Sequence, residues 1–253
     1  MIAIAIDAGN TRIKWGVHDG SGWIAQGVLP TAEVAQLAEL VGLADLVAGW
    51  PAGARIVAGN VAGDETGRRI AAALAPAFPP VRWLRSSAQA GGVINGYEQP
   101  EQLGADRWAA LIGARGLASR ACLVVCAGTA TTIDRLAADG AFRGGVILPG
   151  VELMRAALAR NTAQLPFADG EFRREPRTTA DAIVSGCLHA QIGAIERLFA
   201  ESVDSVDLAG EPNAVCLLTG GAAPSLAPLL RIPCQRVDTL ILDGLLRFSS
   251  SAA

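Results

Sequence analysis

The chain has 253 residues, of which 51% are hydrophobic and 18% are charged, and its formal net charge is −3. This composition supports one large folded domain or two lobes of about 100–150 residues each, and it argues against a disordered chain. Nucleic-acid binding normally needs a basic surface. The slightly negative charge therefore predicts no nucleic-acid partner.

The cysteines and the apolar runs indicate where in the cell the protein is expected to lie. The five cysteines form no CxxC pair and lie mostly in apolar runs, which is typical of reduced thiols in a cytoplasmic protein rather than of a disulfide framework or a zinc site. The first strand meets Asp7 early and has no basic leader, so no signal peptide is expected. No apolar run approaches the roughly 18–20 residues of a membrane span. We expect a soluble, cytoplasmic protein with no membrane partner.

The first half of the chain predicts three strands joined by turns that contain Gly and Asn, which is the pattern of an antiparallel meander. Two helices that alternate with two further strands follow, and Thr31 is the candidate N-cap of the first helix. The predicted elements are strands at 1–7, 11–18 and 23–29, a helix at 31–47, a strand at 55–61, a helix at 64–75 and a strand at 81–84.

The second half repeats this order of elements, which indicates a duplication. Its predicted elements are strands at 122–126, 129–136 and 140–148, helices from about 151 and over 178–202, a strand at 214–220, a further helix and a last strand–helix pair. The sequence therefore predicts an α/β protein with two related lobes of mixed sheet, of the type βββαβαβα. We expect the lobes to comprise residues 1–118 and 119–253, with a cleft between them.

Each half contains a turn of small residues after its first strand. "DAGNT" begins at Asp7 and "CAGTATT" begins at Cys126. Such turns expose backbone N–H groups and hydroxyls, which suits a polyanion. An acid in the turn can hold Mg²⁺ or its waters, which then bridge to phosphate oxygens. The candidate donors are Gly9, Asn10, Thr11 and Lys14 in the first turn and Gly128, Thr129, Thr131 and Thr132 in the second.

A third glycine turn, at Gly220 and Gly221, lies between a strand and a helix. A flat group such as adenine fits against bare backbone of this kind. For any one of the three turns, a plain hairpin or strand–helix connection is the alternative interpretation.

A polar cluster lies at the predicted start of the helix that follows "YEQPEQLGADR". Asp106 and Arg107 stand side by side there. They are either a helix-start acid with a solvated neighbour, or a general base next to an anion-binding arginine.

These segments together resemble the type III pantothenate kinases, which belong to the acetate kinase, sugar kinase, Hsp70 and actin superfamily. "DAGNTRIKWG" resembles the first phosphate motif of that family, and "YEQPEQLGADR" its pantothenate signature. "AGTATTID" and "GGVILPG" resemble the second phosphate motif and the segment after it. "TTADAIVSG" and "TGG" complete the family's order. The resemblance implies two ribonuclease H-like lobes with the active site in the interlobe cleft.

The resemblance also assigns roles to individual positions. It implies ATP binding by Asp7, Ala8, Gly9, Asn10, Thr11, Arg12, Ile13, Lys14, Thr129, Gly220 and Gly221. It implies substrate binding by Tyr97, Gly104, Ala105, Asp106, Arg107 and Thr179. Asp106 is the implied catalytic base, and Asp7 the implied Mg²⁺ ligand, through water. The implied reaction is ATP-dependent phosphorylation of pantothenate in coenzyme A biosynthesis by a homodimer that needs Mg²⁺ and a monovalent cation, K⁺ or NH₄⁺.

One position departs from the family's pattern. The second phosphate motif of the family opens with an Asp that helps to bind the monovalent cation, whereas this chain has Cys126. A neutral thiol is a poor ligand for a hard alkali cation. Three interpretations stay open: backbone carbonyls hold the cation alone and more weakly, Asp134 compensates, or no monovalent cation is needed.

Three other functions remain as alternatives. The first is a regulatory protein of the Bvg accessory factor type with weak or no kinase activity. The second is another kinase or ATPase of the same superfamily, which would share the phosphate turns but not the segments at 97–107 and 178–186. The third is an ATP-binding scaffold without enzymatic activity.

Overall fold

The computed structural model describes residues 2–42, 54–162, 165, 167, 169–204 and 214–250. The chain forms two compact units. The first comprises Met1–Ser119, Gly140–Phe142 and Thr239–Ala253, and the second comprises Arg120–Asp139 and Arg143–Asp238. This division differs from the expected lobes at 1–118 and 119–253, because two segments of the second half of the sequence belong to the first unit.

The strands form two five-stranded sheets and one short ribbon. They are β1 (Ala3–Ala8), β2 (Arg12–His18), β3 (Trp23–Pro30), β4 (Arg55–Asn60), β5 (Val81–Trp83), β6 (Gln89–Ala90), β7 (Val93–Ile94), β8 (Cys122–Ala127), β9 (Ala130–Leu136), β10 (Phe142–Pro149), β11 (Val215–Thr219) and β12 (Cys234–Arg236).

The two large sheets have the same topology, with strand orders β3-β2-β1-β4-β5 and β10-β9-β8-β11-β12. In each, the first strand pairs antiparallel with the second and parallel with the fourth of its half. The predicted duplication and mixed sheets are therefore confirmed. Strand β1 is buried along its whole length, as expected for a central strand that has neighbours on both edges and is covered on both faces.

The helices are α1 (Leu37–Gly42), α2 (Asp64–Leu74), α3 (Ala105–Leu117), α4 (Val151–Asn161), α5 (Thr179–Asp204), α6 (Ala223–Leu226) and α7 (Leu240–Ser250). Short 3₁₀ helices cover Thr31–Gln36, Pro100–Gln102 and Ala227–Leu229. Among the described helices, none has the length and apolar character needed to cross a membrane.

The predicted N-cap at Thr31 is wrong. The 3₁₀ turn that precedes α1 has Pro30 at its cap position and no side-chain capping bond. The Thr31 hydroxyl instead donates to the carbonyl of Gly9 (2.8 Å), and its N–H donates to the carbonyl of Thr11 (3.1 Å). Hydrogen bonds to the first turn have therefore replaced the local cap. Residues 43–47 of the predicted helix lie outside the described residues.

Helix α7 belongs to the first unit because it packs closely against α3. The contact is made at two glycines: an added Cβ at Gly113 would collide with the Leu240 carbonyl, and one at Gly244 with the Ala109 carbonyl. Such close backbone approach is open only to glycine. The sequence pattern of either helix alone does not reveal this pairing.

Candidate active site

The first turn connects β1 to β2 through residues 9–12. The N–H of Gly9 donates to the Arg12 carbonyl at 3.1 Å, which closes the turn. Asn10, Thr11 and Arg12 are exposed, whereas Ala8 and Ile13 are fully buried. A ligand at this turn therefore meets the side chains of residues 10–12, while the side chains of Ala8 and Ile13 belong to the core and offer only backbone.

Asp7 lies at the end of β1, directly opposite Lys14 on β2. Its side chain is buried. The pKa of Asp7 is raised to about 7, mainly by burial and also by the charge of Asp106, while the charge of Lys14 acts in the opposite direction. The fold thus holds two carboxylates and an ammonium group within electrostatic reach of one another.

Such a donor set fits Mg²⁺. A divalent cation close to two carboxylates reduces the repulsion between them. Mg²⁺ in proteins is characteristically coordinated by one or two carboxylates together with phosphate and water oxygens. Asp7 is the better placed to hold the ion, because its buried carboxylate has the most to gain from a compensating charge.

Helix α3 brings Asp106 close to this position. On β4, Gly59 is the register partner of Asp7, and an added Cβ at Gly59 would touch Ala105 at 3.8 Å. The start of α3 therefore lies over the strand that neighbours Asp7. Gly104 is the N-cap, and an added Cβ there would lie 2.6 Å from an Asp106 carboxylate oxygen, so a side chain at position 104 would require this carboxylate to shift.

Arg107 is directed into a cluster of aromatic rings. It is 4% exposed, and its Nη1 donates to the hydroxyl of Tyr97 at 2.7 Å. The guanidinium carbon lies 5.6 Å from the ring centroid of Tyr97 and 5.8 Å from that of Phe142. The structure therefore brings together Tyr97 and Arg107, as expected for two residues of one substrate pocket, and adds Phe142.

Asn95 holds the loop that carries Tyr97. Its side-chain amide donates to the carbonyls of Ser87 (3.2 Å) and Pro100 (3.1 Å), and its side-chain oxygen accepts from the N–H of Tyr97 (3.1 Å). This buried amide fixes the loop by three bonds. The sequence analysis did not identify Asn95 or Phe142 as residues of this site. The Asn-Gly pair at 95–96 is a turn signal that could have pointed to Asn95, whereas no local signal in the sequence points to Phe142.

The second turn connects β8 to β9 through residues 128–130. The N–H of Gly128 donates to the Ala130 carbonyl (3.0 Å), and the N–H of Gly150 donates to the Thr129 carbonyl (2.9 Å). Thr129 is exposed. Two hydrogen bonds thus fix the backbone of the turn, while Thr129 faces solvent.

The third glycine turn packs directly on the second. Gly220 has φ +105°, and an added Cβ would lie 2.6 Å from the carbonyl carbon of Ala127. The N–H of Ala222 donates to the oxygen of that same carbonyl at 3.0 Å. The candidate adenosine loop and the second phosphate turn are therefore one connected piece of backbone, and only glycine fits at position 220.

Cys126 is partly exposed. It is opposite Thr132 on β9 and opposite Thr219 on β11. Asp134 is fully buried, opposite Val124, and its carboxylate lies against the backbone of Gly145. The chain thus offers a thiol and hydroxyl groups at the position where the family's pattern has a carboxylate.

Thr179 is exposed at the first position of α5. It borders an apolar groove of about 870 Å³ between α4 and α5, whose other lining residues include Leu153, Met154, Leu158 and Ile183. The second unit contains Thr129, Thr179, Gly220 and Gly221, whereas Asp7, Asp106 and the aromatic cluster around Arg107 belong to the first.

Solved structures share this architecture. A protein from Sinorhizobium meliloti described as a 2-dehydro-3-deoxygalactonokinase superposes with a TM-score of 0.63 at 18% identity and covers 98% of each chain. A conserved protein of the Baf family of transcriptional activators from Campylobacter jejuni gives a TM-score of 0.60 at 18% identity and covers 97% of this chain and 96% of that one. At these identities the likeness establishes the fold alone, which is that of the sugar kinases and actin.

Sequence similarity identifies the family. The family model of type III pantothenate kinase matches residues 3–201. A type III pantothenate kinase from Aromatoleum aromaticum is 58% identical over 242 residues, which cover 96% of this chain and 95% of that relative. The chain belongs to the type III pantothenate kinase family.

Proposed function

We propose that the protein transfers the γ-phosphoryl group of ATP to the primary hydroxyl of pantothenate, which yields 4'-phosphopantothenate in the first step of coenzyme A biosynthesis. The observation that carries the proposal is the grouping of Asp7, Lys14 and Asp106 beside an exposed Gly-Asn-Thr turn. Family membership supplies the identity of the substrates.

Asp106 serves as the general base. Its partly exposed carboxylate accepts the proton of the attacking hydroxyl, while the backbone and side chains of residues 9–12 orient the phosphates. Phosphoryl transfer depends mainly on positioning and charge neutralisation. Mg²⁺ held through Asp7 neutralises phosphate charge when it is bound with ATP. Lys14 adds a fixed positive charge on the same side of the sheet.

Arg107 binds the carboxylate of pantothenate rather than the transferred phosphoryl group. The charged groups that act on Asp7 are Asp106 and Lys14, while Arg107 is directed to Tyr97 and Phe142. An arginine that is fixed against aromatic rings holds its planar guanidinium in a set orientation, which suits a planar carboxylate.

A monovalent cation, K⁺ or NH₄⁺, is bound weakly and by backbone carbonyls. The Cys126 thiol does not fit such an ion, and Asp134 is fully buried against Gly145, which disfavours the compensation by Asp134. No step of the reaction is assigned to this ion.

The protein acts as a cytoplasmic homodimer in which a second copy covers the groove between α4 and α5. Leu153 on α4 is 43% exposed and Ile147 on the adjoining β10 is 63% exposed, so an apolar surface continues from the groove. Thr179, the expected substrate residue, stands on its border, so the second copy also helps to enclose pantothenate. Light scattering of Leu153→Glu is expected to show monomers where the unmodified chain shows dimers; unchanged dimers would place the interface elsewhere.

The deciding experiment is an assay of the purified chain with ATP, Mg²⁺, pantothenate and either K⁺ or NH₄⁺, with product detected by mass spectrometry. We expect 4'-phosphopantothenate and ADP in equal amounts. ATP binding without any phosphopantothenate would reject the kinase function and leave a regulatory role of the Bvg accessory factor type as the better interpretation. A parallel reaction in which sugars replace pantothenate tests the other alternative, because phosphorylation of a sugar but not of pantothenate would indicate another kinase of the same fold.

A further inference from the structure

We propose that Phe142 is a positioning residue that holds Arg107 in the orientation needed to bind the substrate carboxylate. The inference rests on the function proposed above and extends it to a residue far from the substrate signature in sequence. Phe142 begins β10, a strand of the second sheet, yet it belongs to the first compact unit together with Gly140 and Ala141.

Backbone pairing brings this segment to the substrate loop. The N–H of Ile94 donates to the Gly140 carbonyl at 2.9 Å, and Ile94 and Ala141 form a parallel bridge. Gly140 has φ +90°, and an added Cβ would collide with the Gly92 carbonyl. Only glycine allows the segment to approach this closely. Because Phe142 lies two residues after Gly140, the same approach brings Phe142 to the substrate loop.

The ring of Phe142 completes an aromatic enclosure. It is 1% exposed, and its centroid lies 5.5 Å from that of Tyr97 with an interplanar angle of 32°. The guanidinium carbon of Arg107 lies 5.6 and 5.8 Å from the two centroids, within the range of cation–π attraction. Tyr97 also accepts a hydrogen bond from Arg107, so the tyrosine binds the arginine while Phe142 packs against both.

This arrangement gives Phe142 an effect on binding that differs from ordinary core packing. A long arginine side chain loses much rotamer freedom when it binds a carboxylate, and a rigid enclosure removes that freedom before the substrate arrives. Leucine at position 142 keeps the site apolar but lacks the planar face. Arg107 then samples more rotamers and binds the carboxylate less tightly.

The test compares Phe142→Leu with a matched control, Phe248→Leu. In the control, the guanidinium carbon of Arg82 lies 4.5 Å from the Phe248 centroid, so an Arg–Phe contact of the same kind is removed in the same unit but outside the proposed site. Steady-state kinetics with varied pantothenate at saturating ATP are expected to show about a tenfold higher KM for Phe142→Leu. Its kcat and its KM for ATP change by less than about twofold. The control changes none of these.

Two further arms identify the carboxylate as the affected group. With pantothenyl alcohol, which carries a hydroxymethyl group in place of the carboxylate, Phe142→Leu and the unmodified chain are expected to have the same KM within about twofold. In an Arg107→Gln background, Phe142→Leu is expected to add no further rise in KM, because a residue that acts through Arg107 has no effect without it. Phe142→Tyr, which keeps the ring, is expected to have the KM of the unmodified chain, and Phe142→Met, which is apolar and also lacks the planar face, replaces the leucine variant if that fails to fold.

The outcomes separate this inference from the proposed function. If the unmodified chain forms no phosphopantothenate, the proposed function fails, and a carboxylate role for Arg107 fails with it. If the unmodified chain is active and Phe142→Leu behaves like Phe248→Leu, only the positioning role fails. An equal loss with pantothenate and with the alcohol would also reject it, because the effect would then not pass through the carboxylate.

Discussion

The two hairpin turns at the starts of the duplicated sheets share a backbone plan but differ in charge. In both, the N–H of the residue that follows the third strand donates to a carbonyl of the turn: Thr31 to Thr11 in the first, and Gly150 to Thr129 in the second. The first turn places Asp7 opposite Lys14. The second is one residue shorter and places Cys126 opposite Thr132.

This difference in charge indicates that the two halves have different roles, although their sheets have the same topology. The charged groups that we propose for metal binding and proton transfer lie in the first unit, where Asp106 joins Asp7 and Lys14. The second turn offers neutral donors alone, on a backbone that also supports the glycine turn at Gly220. A fold repeated twice therefore has one half with a group of charged side chains, which we propose for metal binding and proton transfer, and one half with a neutral turn, which we propose for nucleotide binding.

The largest expected effect comes from removing the base of the charged half. Asp106→Asn is expected to lower kcat by about 10²–10⁴-fold, the range usually supplied by a general base, with little change in KM for ATP. The side chain is partly exposed, and asparagine still accepts the N–H bond that the carboxylate takes from Arg107 at 2.8 Å, so the fold should persist.

The measurement is a steady-state assay paired with a thermal melt. A loss below about tenfold with an unchanged melt would show that metal and positioning, rather than proton transfer, dominate the rate, and the charged half would then differ from the neutral half in metal binding alone.

The next effect concerns Asp7 and pH. Its pKa is raised from the ordinary value of an aspartate to about 7, so between these two pH values the folded chain keeps a proton that the unfolded chain has already released. Stability from this group is complete below about pH 4 and falls as pH rises toward 7. Asp7→Asn cannot ionise and escapes this loss. Without Mg²⁺, the variant should match the unmodified chain near pH 4.5 and melt several degrees higher at pH 8.

Melting curves from pH 4.5 to 8, in EDTA and then with Mg²⁺, check this expectation. Added Mg²⁺ should raise the melting temperature of the unmodified chain at pH 8 and leave Asp7→Asn unaffected. Parallel pH curves for the two proteins would mean that Asp7 is ionised in the apo fold at an ordinary pKa.

The sequence was sufficient to predict the duplicated fold and the positions of the two small-residue turns, because strand periodicity and Gly-Thr turns are local signals; the phosphate role of the turns stays a prediction. It could not place α7 with the first unit, since that depends on the fit of Gly244 against the backbone of α3. Nor could it place Phe142 beside Arg107, because the contact joins distant segments through a single bridge at Ile94. The Thr31 cap failed for the same reason: a tertiary hydrogen bond to Gly9 outcompeted the local one.

The smallest expected effect comes from giving the neutral turn a charge. Cys126 is partly exposed at the end of β8, so Cys126→Asp adds a carboxylate where hard oxygen ligands are otherwise limited to carbonyls and hydroxyls. A hard cation gains an oxyanion ligand, and the K⁺ concentration that gives half of the maximal rate should fall by about tenfold. Cys126→Ser, which adds an oxygen without charge, is the control and should change this K⁺ concentration by less than about threefold.

The measurement is the initial rate as a function of KCl concentration, with the ionic strength held constant by NaCl. A full rate of the unmodified chain in sodium alone would show instead that it needs no monovalent cation. The rate of Cys126→Asp should then not rise when potassium is added.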